Sequence, residues 1–499
     1  MAVFHEDKER RVIPRWRGFY NTVASGELSP LQMLDERLPI QKNILARRMK
    51  DWDENRSISF AADLVATGIT LGEESYVREA AEFMLSARAR PSETAKRLAM
   101  HVLDPNMIVQ LMPNHVETEE FQSVVRSEIH KLRVQLYEEP RNAFLWTNIS
   151  RLYTNLGCAE KATHAIEVAI SLAPLDRFVL RSAARLFVHQ DDYGRAHDIL
   201  RYNERVNHDP WLLSAEIAVA GAARRRSRLV KHAKNILDSD RFSVFHLSEL
   251  ASALSTLDFE AGKDRHGRKH LKKSLEKPTE NSIAQAAWLQ RQFFGVTVGQ
   301  GNQNWPTSHE ALAWEFCRNA KWKETISESL EWLYDQPFSS RPATLGSYIA
   351  AVPLGSYEES ARIARLGLTA NPNDFTLLNN FAFALGHVGK VQEARQVFKR
   401  IRVSTLSSEQ RFVWLATNGF LHYREGKPID GRKMYMQALE KQGKATDEKR
   451  RASAFIWMTL EELRIGSMEA PKYKREILEL AKNLPYPDLR PLIKRLEKQ

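Results

Sequence analysis

Two short segments carry the whole charge excess of this 499-residue chain. From 222 to 234 the sequence reads AARRRSRLVKHAK, with Arg224, Arg225, Arg226, Arg228, Lys231 and Lys234 against no acid, a local +6. From 263 to 277 it reads KDRHGRKHLKKSLEK, where Lys263, Arg265, Arg268, Lys269, Lys272, Lys273 and Lys277 face only Asp264 and Glu276, a local +5. Together these equal the formal net charge of +11, so the rest of the chain is balanced. Such clusters attract phosphate backbones, acidic lipid surfaces or acidic protein faces by salt-screened steering. Neither segment holds an aromatic residue to stack on a base or a groove-reading motif, so contact with nucleic acid would be of the backbone type. A plain solvated face is the alternative. His266 and His270 have the four-residue spacing of metal ligands on a helix, but the surrounding bases and the lack of a helping cysteine argue against a metal there.

Other chemistry is sparse. The chain contains no His-Glu-x-x-His, no Gly-x-Ser-x-Gly and no cysteine pair at zinc spacing. Gly299 and Gly301, in GVTVGQGNQNWPTS (295–308), lack the third glycine of a dinucleotide loop, and no Gly-Lys-Ser/Thr occurs. Cys158, beside Gly157, and His189 are expected to have packing roles. The reading is therefore non-enzymatic, with no cofactor and no metal; a catalytic site, if there were one, would fall in the first 120 residues.

The elements that position these residues are read as helical. At 43% hydrophobic and 27% charged residues the chain is not disordered. Its apolar runs, such as 217–223, are far short of the ~20 residues that cross a bilayer. The opening MAVFHEDKERR has acids and bases where a secretory signal needs an apolar core, which predicts a cytoplasmic location. Two cysteines, Cys158 and Cys317, cannot make a disulfide framework. Arg10, Arg11, Arg15, Trp16, Arg17, Phe19 and Tyr20 crowd around Pro14, and two readings stay open for them: an anchor at an interface, or an arm packed on the chain's own body.

A repeat organises the rest. Trp146, Ile149, Ser150 and Tyr153 are followed by Gly157, Ala162, Ile166, Ala169 and Pro174, and Ala196 stands 34 residues after Ala162 with Leu180, Ala183, Ala184, Phe187 and Leu200 around it. Gly355 and Gly389 are also 34 apart, as are Ser360 and Ala394. A further unit is Leu415, Gly419, Gly426, Gly431, Tyr435 and Ala438, after an insertion placed in 404–410; a degenerate one contains Leu312, Ala313, Phe316, Thr325 and Ser329. These residues resemble the tetratricopeptide repeat, with its small residues at helix contacts and a proline near the unit boundary. The resemblance covers 142–210 and 341–443. It implies an all-α fold, an α-solenoid of antiparallel helix pairs, either one continuous superhelix or two halves. The division expected is 1–120 with degenerate hairpins, 121–294 as a first array with the basic middle, a 295–308 linker, and 309–499 as a second array ending in an amphipathic helical cap.

The resemblance also implies that first helices line a concave groove holding an extended peptide or partner helix. Thr147, Arg151, Asn155, Arg181, Arg185 and His189 are then the groove residues of the first array, suited to an acidic peptide, although Arg181-x3-Arg185 is only an analogue of the carboxylate clamp of chaperone-binding members. Leu345, Ile349, Asn379 and Phe383 are their more apolar counterparts in the second. Reversing charge at Arg181 and Arg185 is expected to weaken capture of an acidic partner without changing thermal stability. The function expected is a scaffold or adaptor binding other proteins within a larger complex; the alternatives are a nucleic-acid-associated subunit using the basic middle, or an enzyme using the N-terminal region.

Overall fold

Asn142, Asp176, Asp209, Ser243 and Thr279 each accept a hydrogen bond from a backbone N–H in the first turn of the helix that follows. They stand 34, 33, 34 and 36 residues apart. Short polar side chains satisfy amide groups that a helix start leaves without partners, so this spacing marks where first helices begin. In the computed structural model those helices are Ala143–Asn155, Arg177–His189, Pro210–Ala222, Val244–Glu260 and Glu280–Gln292. The first four turn back into Ala159–Leu172, Tyr193–Arg201, Val230–Leu237 and Asp264–Ser274. Each of these turns contains a residue with φ between 55° and 69°: Gly157, Asp191, Arg224 and Gly262. Glycine takes this left-handed conformation freely, whereas Asp191 and Arg224 adopt it at a cost of about 1–2 kcal/mol each.

The structure describes all residues except 5–9, 29–30, 32–38, 72, 88–90, 92, 105–117, 240, 294, 297–304, 441–447 and 483. Among the described residues the regular structure is helical, with no strand. The chain divides into one unit of Lys8–Ser308 and another of Met1–Asp7 with His309–Gln499. Most of the 295–308 linker, with Gly299 and Gly301, lies outside the described residues. A boundary at 120 would cut the helix Thr118–Glu138, and the Lys8–Ser308 unit runs across it.

Within Lys8–Ser308, helices at Pro39–Glu54, Ile58–Leu71, Arg78–Ser86, Glu93–Leu103 and Thr118–Glu138 precede the hairpins. Pro210 occupies the first turn of Pro210–Ala222, where its missing N–H has no helical acceptor to lose. The helix before it, Tyr193–Arg201, is short rather than extended, and a 3-10 turn at Glu204–Asn207 fills the gap.

The second unit repeats the plan. His309–Arg318 pairs with Trp322–Asp335, Ser340–Ile349 with Tyr357–Ala370, Phe375–His387 with Val391–Lys399, Ser408–Arg424 with Pro428–Glu440, and Glu448–Arg464 with Ala470–Ala481. Positive-φ residues Ala320, Gly355, Gly389, Gly426 and Gly466 sit in the turns. Trp332, in a slot that normally takes a small residue, is buried with the Arg341 guanidinium 4.9 Å over its ring. A capping box at Ser407 and Gln410 restarts the helix after the insertion. A closing helix, Arg490–Lys498, buries Leu492 and Leu496.

Small residues let the paired helices touch. Ser150 Oγ donates to the Ala162 carbonyl at 2.7 Å, Ser255 Oγ to Gly267 at 2.8 Å and Ser360 Oγ to Ser347 at 2.8 Å. Ala162, Ala196, Ser360 and Ala394 are all fully buried on second helices. At Gly419 and Gly431 backbone meets backbone: a Cβ on either glycine would come within 2.8–2.9 Å of the other's carbonyl oxygen. Neither backbone can move aside as a flexible side chain would. Gly419→Ala is expected to destabilise by about 1–3 kcal/mol, read as a lower urea midpoint; an unchanged midpoint would refute the close approach.

Candidate functional site

First helices of successive hairpins pack on one another in each unit and so make a continuous wall. In both units the chain's own N-terminal residues lie on that wall. In the Met1–Asp7/His309–Gln499 unit, Asn379 Nδ2 donates to the Met1 carbonyl at 2.7 Å. The Asn380 amide reads both sides of Val3, accepting from its N–H at 2.8 Å and donating to its carbonyl at 2.8 Å. Phe4 packs against Tyr348 and Trp314, ring centres 4.5 and 5.9 Å away, with the Lys449 ammonium 5.0 Å over its ring.

In the Lys8–Ser308 unit residues 10–18 have no regular structure, and Val12, Pro14 and Trp16 are buried while Arg11, Ile13, Arg15 and Arg17 between them are less so. Alternation of this kind is what an extended chain produces. Gln285 donates to the Arg10 carbonyl at 2.8 Å and accepts from its guanidinium at 2.6 Å. Asn281 donates to the Ile13 carbonyl at 3.0 Å and accepts from Arg10 at 3.0 Å. Arg11 pairs with Glu260 at 3.0 Å, and Glu280 receives both Arg15 and Arg17, the latter at 2.6 Å. Phe19 donates its N–H to Asn148 Oδ1 at 3.0 Å and lies 4.3 and 5.0 Å from the rings of Phe144 and Phe178. Of the two sequence readings of the arginine–aromatic cluster, the structure takes the packed arm.

This geometry corrects the expectations for the groove residues. Arg181 does not reach for an acidic partner: it is 4% exposed, bonded to Glu249 at 2.9 Å and Glu27 at 3.2 Å, with the Trp211 ring 4.9 Å beneath it. Burial pushes the Glu27 carboxyl up, and Arg181 opposes that shift. Thr147 is buried and spends its hydroxyl on Ala143 O within its own helix. Asn155 is buried, and Arg151 and Arg185 are half-buried with contacts of their own. His189 is half-buried, and burial, helped by Arg185, pulls its pKa down to about 4. In the other unit Leu345, Ile349 and Phe383 belong to the core; Phe383 packs on Phe420 and Trp457 at 4.7 and 5.0 Å. Of the predicted positions, Asn379 holds the arm.

The wall residues missed by sequence reasoning are Asn148, Asn380, Asn281, Gln285, Glu249 and Glu280. Asn148 and Asn380 stand one residue beyond Thr147 and Asn379. One step along a helix turns a side chain by 100°, which separates the inward hydroxyl of Thr147 from the carboxamide of Asn148 that meets the arm, whereas Asn379 and Asn380 both reach it. Carboxamides on first helices, each able to donate and accept, were the available signal.

The two basic segments form a separate feature. Arg224, Arg225, Arg226 and Arg228 occupy a hairpin turn, Lys231 and Lys234 the following helix, and Lys263 to Lys273 the turn and second helix of the next hairpin. A pocket of about 550 Å³ lined by Lys234, Gly262, Lys263, Asp264, Arg265 and His266 brings the two segments together. Some cations are paired: Arg225 with Asp198, Lys234 with Asp258, and Lys269 with Asp238 at 2.9, 3.2 and 3.6 Å. Arg268 and Lys273 donate to the Gly295 and Leu237 carbonyls. Arg224, Arg226, Arg228, Lys231, Lys263, Arg265 and Lys272 are exposed. His270 is committed to Asp258 at 2.9 Å and burial lowers its pKa, whereas His266 is exposed at the pocket.

Perturbed acids occur near the first hairpin. Burial pushes Asp63 up to about 6 and Glu139 up to about 8, and Asp63 adds to the shift of Glu139. Both are buried, Asp63 with Arg48 at 3.5 Å and Glu139 accepting from Asn142 at 2.8 Å. A folded-state pKa raised above the unfolded 4.5 gives a contribution fully present below pH 4.5 and lost as pH rises toward 8. Glu139→Gln keeps the acceptor and cannot ionise. It is expected to gain about 2–4 kcal/mol over the native chain at pH 8 relative to pH 4, measured by urea unfolding; equal differences at both pH values would contradict the burial.

No family model and no curated protein matches the chain. Among solved structures it is similar to the APC/C hetero-tetramer Cut9–Hcn1, at 12% identity over 92% of this chain and 93% of that one, with a TM-score of 0.39. It is also similar to the human IFIT1 dimer with PPP-AAAA, at 12% identity over 92% of this chain and 99% of that one, TM-score 0.32.

Proposed function

We propose that this chain is a non-enzymatic cytoplasmic scaffold, an adaptor that organises other proteins within a larger complex through walls of first helices that hold extended polypeptide. The observation that carries this reading is the way the walls hold the chain's own arm: Asn379, Asn380, Asn281, Gln285 and Asn148 bind main-chain groups rather than side chains alone. Main-chain recognition by carboxamides tolerates many sequences, which suits peptide binding. The test is purification of the tagged full-length chain under gentle conditions, with identification and stoichiometry of what accompanies it. A defined protein partner at fixed ratio is expected; a chain that stays alone while turning over a small molecule would overturn the reading.

A second reading rests on the meeting of the two basic segments around Lys234 and Lys263–His266. The exposed cations there suit a phosphate backbone, making the chain a nucleic-acid-associated subunit. Filter binding of single- and double-stranded RNA and DNA at low salt tests it. Affinity that falls steeply with salt supports this role, and no binding at low salt removes it.

A further inference from the structure

We infer that the first-helix wall of the Lys8–Ser308 unit is a binding site for an extended, arginine-bearing peptide, filled in this structure by the chain's own residues 10–19 and able to take such a segment in trans when the arm is loosened. The inference rests on the scaffold reading and names the chemistry of its ligand. Around the arm the wall is acidic and amide-rich: Glu260, Glu280, Asn281, Gln285 and Asn148. Glu280 alone receives two arginines, Glu260 a third, and the Asn281–Gln285 pair a fourth. A guanidinium offers five N–H donors in a planar fork, which matches carboxylates and carboxamide oxygens presented side by side.

Main-chain contacts to Arg10 O, Ile13 O and Phe19 N set the path of the occupant without reading its sequence. Specificity therefore falls to the arginines and to the apolar positions between them, where Trp16 and Phe19 are buried. An acidic peptide, the ligand expected from the arginines of the first helices, meets the wrong sign of charge here, because Arg181 is already answered by Glu27 and Glu249. The arm holds the site through its covalent attachment: a tethered segment acts at an effective concentration of about millimolar, so a free peptide at micromolar concentration finds the wall occupied.

The probe is a fluorescent peptide with the sequence of residues 10–20, RRVIPRWRGFY. It is titrated by anisotropy into the full chain and into Arg10→Ala/Arg15→Ala/Arg17→Ala, which keeps Trp16 and Phe19 for folding. The triple variant is expected to bind at least about tenfold more tightly than the native chain, because its own arm competes less well. Adding Glu280→Gln is expected to remove that gain, and a peptide with every arginine replaced by glutamate is expected not to bind. Should the triple variant lose its helical circular dichroism, Arg17→Ala alone gives the same comparison with a smaller gain. Binding no tighter than to the native chain, or equal binding of the glutamate peptide, overturns the inference. If that happens while the tagged full-length chain still brings down its protein partner, the scaffold reading stands and only this ligand assignment falls.

Discussion

Arg181→Glu is expected to unfold the Lys8–Ser308 unit or to cost it more than the roughly 3–5 kcal/mol typical of breaking one buried ion pair. Arg181 sits between Glu249 at 2.9 Å and Glu27 at 3.2 Å, all three groups nearly removed from solvent. Charge reversal would leave three carboxyl groups together without the guanidinium that bonds Glu27 and Glu249, and the Glu27 carboxyl is already pushed up by burial. Arg181→Met isolates the missing charge from the added one and is expected to lose about 3–5 kcal/mol on its own. Urea unfolding followed by circular dichroism measures both. Arg226→Glu, at an exposed turn position, is the control and is expected to stay within about 0.5 kcal/mol of the native chain. A native-like midpoint for Arg181→Glu would show that the triad does not form. The earlier expectation of unchanged stability at this position assumed a solvent-facing groove, and the two acids that occupy its place are 154 and 68 residues away in sequence.

Phe19→Ala is expected to cost about 3–5 kcal/mol, an unusually large effect for a residue in an N-terminal arm. The ring is fully buried, stacked on Phe144 and edge-on to Phe178, in one apolar cluster with Trp52, Leu64, Val77 and Met84. Truncation removes an aromatic ring from between two helices that cannot close on the space. The same variant should make residues 10–17 cleavable by trypsin, since their arginines leave Glu260 and Glu280 once the anchor is gone. An arm that stays protease-resistant with a native midpoint would mean that Phe19 is not an anchor. This outcome bears on the scaffold reading too, because an arm held mainly by Phe19 leaves the arginine contacts as the part a competing peptide can replace.

Hairpins turned by Gly157, Gly355, Gly389 and Gly426 were legible in the sequence, and so was the one turned by Asp191, through Ala196 at the 34-residue spacing; those turned by Gly262 and Gly466 have the glycine without the rest of the pattern. At Arg224 and Ala320 the same left-handed turn is made by residues that give no such signal, and the hairpins around them were seen only as helical composition or as a degenerate unit. The helix caps Asp209, Ser243 and Thr279 carried the period through that stretch, since a short polar side chain at a helix start serves the same free amides wherever it occurs.

What the sequence determined by itself was local: where helices start, where they turn, which small residues permit close approach, and that the positive charge is gathered in two segments. These follow from short-range sterics and hydrogen bonding, which depend on residues a few positions apart. Only the tertiary structure decided what faces the first-helix walls. Whether an arginine greets a ligand or is answered internally depends on carboxylates from distant parts of the chain, such as Glu27 and Glu249 around Arg181, and whether a wall is open depends on where residues 1–4 and 10–19 lie. Charge pairing across long sequence separations leaves no periodic trace, so the arm's arginines and the wall's acids were each visible while their partnership was not.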